Sequence, residues 1–322
     1  MSIHSPGPNE LRSPPRRADV GPYVAIGPGG LAVALLAVAL ILASMAGSRV
    51  DPRAFLDPQA AKGFVRLVGG LWPPELSRPF LQSTAGLMWQ TLQISVASTA
   101  LAFVLALPLG LAGMRLRGEE RRREALGTRR WLGRWSVLLL ARSIMNVCRA
   151  VPELVWALVF VATLGLGPFA GVMALAVHSA GVLGKLYAEI LESVDQRIVE
   201  AVRSTGASEG QVTAWARIPL TLPVLLSYTL FRWECNMRAA TVIGFVGAGG
   251  IGTAITISYR LFRYDELATL ILSILLLITV VDVTGQLIRA RVLDASSGGY
   301  WSWSSRVKGV GRKAGLLPRA DH

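Results

Sequence analysis

The chain has 322 residues, of which 52% are apolar and only 16% are charged, and its mean hydropathy is +0.48. A soluble globular domain carries about 25% charged residues, so this composition excludes a protein that is water-soluble throughout. Two cysteines in apolar runs and three histidines exclude a disulfide framework and a cysteine zinc site, and leave little material for nucleophile–base catalysis. The sequence predicts an all-α, polytopic integral membrane protein.

Six stretches are long and apolar enough, or nearly so, to cross the roughly 30 Å hydrocarbon layer as helices. They cover residues 29–46, 85–114, 150–166, 168–187, 220–246 and 267–288, and an amphipathic lead-in from Ser136 precedes the third. The first stretch has no convincing cleavage site after its apolar run, so we expect a retained span and not a signal peptide. The prediction is a disordered arm at 1–28, a transmembrane domain at 29–290 and a basic tail at 291–322, with no regular structure expected from 296 onward.

The long segment between the first and second stretches, residues 47–84, contains five prolines and predicts short amphipathic pieces instead of a domain. Basic residues then set the orientation: 21 lie on the side of the two termini and seven on the other. Because cytoplasmic loops carry the excess of Lys and Arg, both termini are expected in the cytoplasm.

The net charge of +13 is therefore mainly a topology signal. The only candidates for a nucleic-acid surface are the run Arg121–Arg123 and the aromatic motif Tyr300–Trp303 in the tail. Trp, Tyr and basic residues are also favoured at the surface of a lipid bilayer, so we expect a membrane contact there and no nucleic-acid partner.

Residues 193–219, between the fourth and fifth stretches, predict two short helices on the cytoplasmic side. Asp195 can cap a helix that runs through Arg203, and Gly206 suits the left-handed residue that ends it. Residues 208–211 have the spacing of a capping box, while Pro219 and Pro223 mark positions where the next span can begin. An ordinary connection needs only a handful of residues, so some 30 residues here favour a docking element.

The triplet Glu200-Ala201-Val202, followed by Gly206 and by Ile218-Pro219, resembles the EAA signature of ABC importer permeases. Val202 in place of the second alanine, Ile218 in place of leucine and Ala216 in place of isoleucine are mild departures. Residues 236–252 and 149–153 are similar to the phosphonate-type subgroup of these permeases. The resemblance covers roughly residues 90–288.

The resemblance implies the type I ABC importer permease architecture, with the 193–219 segment docked on a separate ATPase subunit. The contact would involve Glu200, Ala201, Val202, Gly206, Ala207, Ile218 and Pro219. ATP and Mg would be bound by an ATPase dimer, so this chain would be a transport subunit without a cofactor or catalytic residues of its own. A second permease copy, an extracytoplasmic binding protein and the bacterial cytoplasmic membrane complete the expected assembly.

A glycine-rich turn follows the fifth stretch and matches the dinucleotide pattern G-x-G-x-x-G at Gly247, Gly249, Gly250 and Gly252. That motif needs a preceding buried strand and a following helix, whereas here a membrane span precedes it and the topology places the glycines outside. We therefore expect a tight or re-entrant turn at the outer end of the pathway.

Ionisable and amide residues inside spans are costly and usually face a partner or a cavity. The candidates for the translocation pathway are Arg232, Glu234, Asn236, Arg238, Glu153 and His178. One interpretation of Glu234 and Arg238, four residues apart, is a self-neutralising pair that fixes helix packing. The other is that Arg232 or Arg238 lines the pathway and attracts an oxyanion.

Two further pairs with the same spacing, Arg149 with Glu153 and Lys185 with Glu189, predict structural ion pairs. His178 is either a hydrogen-bonded packing residue or part of the pathway. The expected substrate is phosphonate or a related oxyanion such as phosphite or a phosphate ester, with methionine or another amino acid as the alternative. An ion-coupled secondary transporter would call for inverted repeats and a membrane enzyme for catalytic groups, and neither is evident in the sequence.

Overall fold

The computed structural model describes residues 28–47, 57–116 and 128–313. Within these residues the protein is all-α and contains no strand. The helices in chain order are α1 (Pro28–Gly47), α2 (Pro58–Gly70), α3 (Arg78–Gly113), α4 (Thr128–Ala150), α5 (Glu153–Leu164), α6 (Pro168–Glu192), α7 (Gln196–Arg203), α8 (Glu209–Val212), α9 (Ile218–Gly244), α10 (Ile251–Arg260) and α11 (Tyr264–Lys313), with a π-helical turn (Thr213–Arg217) between α8 and α9.

Five of these helices are long and apolar enough to cross a membrane, namely α1, α3, α6, the α8–α9 helix and the first part of α11. The bent pair α4–α5 gives a sixth span if it is counted as one, which agrees with the predicted number. Contacts divide the chain into two units, residues 1–65 and 66–322. In the first unit, every side chain described in α1 is exposed, and α1 is apolar around its whole circumference.

The second unit packs around α6, which contacts α3, α4, α5 and α9. Its buried face is rich in Ala and Gly, and small residues let neighbouring helix backbones approach closely. Gly181 is an example, since a Cβ at this position would lie 2.8 Å from the backbone nitrogen of Arg149 on α4. Aliphatic and aromatic side chains fill the remaining core around Leu183 and Tyr187, both fully buried.

The third span is not the continuous helix predicted over residues 150–166. The chain bends by 92° between α4 and α5, at Val151 and Pro152. Proline has no N–H to donate and disfavours the helical conformation of the residue before it, so the helix ends there. The second half, α5, has only 12 residues, or about 18 Å of helix, too short to cross a membrane by itself.

Other boundaries differ by smaller amounts. The second span begins at Arg78 instead of residue 85, and Pro223 lies inside α9 instead of at its start. The absence of regular structure predicted from residue 296 is wrong as far as Lys313, because α11 continues to that residue. Helix propagation from an established span costs far less than nucleation, which explains the extension. Residues 1–27 of the predicted disordered arm, the Arg121–Arg123 run and residues 314–322 lie outside the described residues, and Pro28 begins α1.

Hydrogen bonds indicate which helix ends and loops of the second unit lie on the same side. At one end, the Gly167 nitrogen donates to the Gly247 carbonyl at 3.0 Å, so the loops before α6 and after α9 meet. At the other end, Arg142 donates to the Gly113 carbonyl at 2.8 Å and to Glu192 at 2.6 Å. The ends of α3 and α6 and the 193–219 segment therefore share one side.

Candidate functional site

The 193–219 segment folds as its sequence predicts. Asp195 accepts a hydrogen bond from the Arg197 nitrogen at 2.9 Å, which caps α7, and Gly206 has φ +85°, a conformation that glycine adopts readily. A complete capping box between Ser208 and Gln211 starts α8. The two-helix geometry is thus encoded by local hydrogen bonds.

The inner face of this segment is fixed to the rest of the protein. Val199 and Val212 are fully buried, and Arg203 forms an ion pair with Glu209 at 2.7 Å that ties α7 to α8. Arg217, only 1% exposed, donates to the Leu191 carbonyl of α6 at 2.8 Å. The segment therefore forms a compact body attached to α6.

The outer face of the same segment is open. Glu200, Ala201, Gly206 and Pro219 are exposed, while Val202, Ala207 and Ile218 are half-buried. Trp215, in the π-helical turn of the same segment, is 78% exposed, although its sequence position gave no signal of this. An exposed tryptophan is typical of a protein contact surface.

A chain of hydrogen bonds connects four of the polar side chains near the middle of the spans. Arg232 Nε donates to Ser179 Oγ at 3.0 Å, and Ser179 Oγ donates to Asn236 Oδ1 at 2.8 Å. Asn236 Nδ2 then donates to Thr99 Oγ1 at 2.9 Å, and Thr99 donates to the Ser95 carbonyl at 2.7 Å. We call Arg232, Ser179, Asn236 and Thr99 the polar chain.

Glu153 and His178 lie beside the break between α4 and α5. His178 Nδ1 is 3.0 Å from the Val151 carbonyl, and its Nε2 is 3.7 Å from Glu153 Oε2. The predicted pair between Arg149 and Glu153 is wrong, because the 92° bend between them removes the one-turn helical spacing. Arg149 donates instead to Asn146 at 3.2 Å. The predicted Lys185–Glu189 pair is present at 3.6 Å.

Glu234 and Arg238 form their direct ion pairs with α11 and not with each other. Arg289 Nη2 donates to both carboxylate oxygens of Glu234, at 2.7 and 3.0 Å, and Arg238 pairs with Asp282 at 2.7 Å. The predicted pair within α9 is therefore wrong, since α11 brings an opposite charge to each residue. Gly285 makes room for this arrangement, because a Cβ there would overlap the Glu234 carboxylate.

The glycine-rich stretch forms a tight turn between α9 and α10. Gly247, Gly249 and Gly250 all have positive φ, between 75° and 86°. The Gly250 nitrogen donates to Gln90 at 2.9 Å, and a Cβ at Gly252 would overlap the Thr241 carbonyl. The element before this turn is a helix, so the strand that a dinucleotide motif requires is not there.

The sequence identified polar candidates within the spans, but it did not identify the side chains that form hydrogen bonds and ion pairs with them. Thr99 and Ser179 complete the polar chain, and Asp282 and Arg289 neutralise the other face of α9. The polar spacing in α3, with hydroxyls at residues 95, 98 and 99, was the available signal for the first set. Among the described side chains, no cluster of three or more His, Cys, Asp or Glu residues could hold a metal ion.

Comparisons with known proteins agree with this architecture. The phosphite transport system permease protein PtxC of Stutzerimonas stutzeri is 37% identical over 223 residues, 69% of this chain and 75% of that protein. The phosphate-import permease protein PhnE of Mycolicibacterium smegmatis is 34% identical over 76% of this chain and 43% of its own length.

A solved inward-facing structure of the MetNI methionine ABC transporter contains a chain with the same fold, at a TM-score of 0.55 and 22% identity. The match covers 67% of this chain and 99% of the other. Residues 128–294 match the model of the binding-protein-dependent transport system inner membrane component family. The chain therefore belongs to that family of multi-pass inner-membrane transport permeases.

Proposed function

We propose that this chain is the permease subunit of an ATP-driven importer that carries a small phosphorus oxyanion, such as phosphite or a phosphonate. The observation that carries the proposal is the exposed surface of Glu200, Ala201 and Gly206 on a segment whose inner face is locked. Such a surface suits a separate subunit that pushes on it. The names of the two relatives, one for phosphite and one for phosphate, support the substrate class.

The link between this surface and the membrane is mechanical. The π-helical turn (Thr213–Arg217) runs directly into α9, and Arg217 bonds to α6 through Leu191. Movement of the surface would therefore reach α6 and α9, two of the three helices that hold the polar chain. From Arg217 to Arg232 the helix rises about 22 Å, which is about half the thickness of a bilayer with its headgroup regions, roughly 40–45 Å.

The proposed assembly places each partner on the part of this chain that it would contact. An ATPase dimer would bind ATP and Mg and contact the outer face of the 193–219 segment from the cytoplasm, where both termini of this chain would also lie. A second copy of this chain would form the other half of the pathway. A soluble binding protein would deliver the oxyanion from the opposite side.

A substitution at Gly206 tests the coupling surface. Proline cannot adopt φ +85°, so Gly206→Pro should disrupt the turn and reduce both co-purification of the ATPase and phosphite uptake by at least about tenfold. Asparagine tolerates the left-handed conformation and serves as the matched control in Gly206→Asn, which should retain both. Membrane insertion should be unchanged in the two variants.

Ala201→Arg tests the surface without altering the backbone. The added side chain on an exposed position should weaken ATPase binding while the permease remains folded. Normal ATPase binding and uptake by both Gly206→Pro and Ala201→Arg would contradict the proposal. If the wild-type protein takes up labelled methionine and not phosphite, the proposed coupling to the ATPase would stand, but the proposed phosphorus oxyanion substrate would be wrong.

A further inference from the structure

Arg232 differs from the other two arginines that approach the membrane part of α9. Arg238 pairs with Asp282 and Arg289 pairs with Glu234, so each has a carboxylate in contact. Among the described side chains, Arg232 has no ion-pair partner, and its hydrogen bond uses only Nε, which donates to Ser179. An arginine inside a span is costly, so a cation without a contacting anion calls for a functional reason.

The polar chain orients this guanidinium. Ser179 is fully buried and gives its single hydroxyl hydrogen to Asn236, so its oxygen must accept from Arg232. Asn236 is itself fully buried and anchored by its bond to Thr99. The guanidinium is thus held by Nε, which leaves the two terminal nitrogens as a fork of donors. Arg232 is half-buried, so part of its side chain remains exposed in this chain.

The position of the fork fits a transport pathway. Arg232, Ser179 and Thr99 lie close to the midpoints of α9, α6 and α3. The break between α4 and α5 lies at the same level, because Val151 contacts His178. Broken helices near the membrane midplane recur at substrate sites of transporters, where irregular backbone lines a cavity.

Nearby charge limits the affinity of this position. Glu153, at the start of α5, interacts electrostatically with Arg232 without an ion-pair contact. Glu153 and Arg232 carry opposite formal charges, so an arriving anion would meet a donor fork but no large positive field. This combination suits a contact that forms and breaks during each passage.

We propose that Arg232 is the mid-membrane, specificity-determining contact for the transported oxyanion, with Ser179 as its positioning residue. The inference rests on the proposed function and names the residue that would distinguish the transported oxyanion from other solutes. Two oxygens of a phosphonate or phosphite match the two terminal nitrogens of an arginine fork. Arg238 and Glu234, the other charged candidates on α9, are assigned to helix packing instead.

The test is uptake of radiolabelled phosphite by proteoliposomes that contain this chain with the ATPase and binding protein of its transport system. Arg232→Gln should lower the uptake rate by about tenfold or more, whereas Arg232→Lys, which keeps the charge but loses the fork, should lower it by less. The amount of assembled complex should stay close to that of wild type. Arg238→Gln is the matched control, and its uptake should fall only in proportion to assembled complex.

Ser179→Ala provides a second variant that changes one buried oxygen atom and keeps Arg232. It should raise the KM for phosphite uptake several-fold with little change in the maximal rate, which a purely structural role would not produce. Uptake at the wild-type rate by Arg232→Gln would overturn the inference. It would also be overturned if uptake by Arg232→Gln fell only in proportion to the amount of assembled complex and the KM of Ser179→Ala did not change. If wild type itself carries no phosphite, the proposed function fails instead.

Discussion

Two faces of α9 carry polar side chains one helical turn apart, Arg232 with Asn236 on one face and Glu234 with Arg238 on the other. On the second face each charge meets an opposite charge from α11. On the first face Arg232 donates a hydrogen bond to the neutral Ser179, and Glu153 acts on it electrostatically without an ion-pair contact. The contrast shows that a charged residue inside a span can serve helix packing or transport. Its contacts with other helices indicate which of the two roles it has.

The largest effect is expected from Glu234→Gln. Glu234 is buried, and its loss leaves Arg289 without a counter-charge in the membrane part of the protein, at a cost of about 3–5 kcal/mol in the free energy of unfolding. Arg238→Gln should cost at most about 1 kcal/mol, because the Arg238 side chain is 53% exposed. Thermal unfolding of the purified protein in detergent measures both, and equal losses would remove the distinction within the packing face.

A smaller effect is expected from Gly285→Ala. The added methyl group overlaps the Glu234 carboxylate, so the pair with Arg289 must shift, at a cost of about 1–3 kcal/mol. Gly133→Ala is the matched control, since this helical glycine has nothing within 4 Å and alanine favours the helix. Stabilisation by both substitutions, measured by the same unfolding assay, would show that α11 does not pack on Glu234 as described.

Thr99→Val tests the polar chain with a side chain of the same shape. It removes the acceptor for Asn236 and should cost about 1 kcal/mol of stability, the net value of one hydrogen bond. Phosphite uptake should fall less than in Ser179→Ala, because Thr99 acts on Arg232 through two intervening residues. A larger loss of uptake in Thr99→Val would place the substrate contact at Thr99.

The smallest effect is expected from Lys185→Gln. Its pair with Glu189 is 3.6 Å long and both side chains are partly exposed, so the loss should be below about 0.5 kcal/mol. Unfolding of this variant gives the baseline against which the losses on the two faces of α9 are judged. A loss above 1 kcal/mol would indicate that this pair is buried in the assembled transporter.

Local signals in the sequence were enough for the 193–219 segment. Capping by Asp195, the left-handed Gly206 and the capping box at Ser208 each act over a few residues, so their geometry follows from the chain itself. The apolar stretches likewise predicted the spans and the all-α class.

Contacts between distant residues could not be predicted in the same way. The partners of Glu234 and Arg238 are 55 and 44 residues away, and no periodicity within α9 indicates them. The bend at Val151 and Pro152 also changed the expected pairing, because Glu153 left the helix of Arg149 and met His178. Pro152 was visible in the sequence, but its consequence depended on how α5 packs against α6.

The central claim is that ATP hydrolysis by a separate subunit drives transport through this chain by way of the 193–219 segment. Its most direct test measures labelled phosphite uptake into proteoliposomes with and without the ATPase, with proton and sodium gradients dissipated. We predict uptake only when the ATPase and ATP are both present, with hydrolysis rising when the binding protein is loaded. Uptake by this chain alone, driven by an ion gradient, would contradict the account.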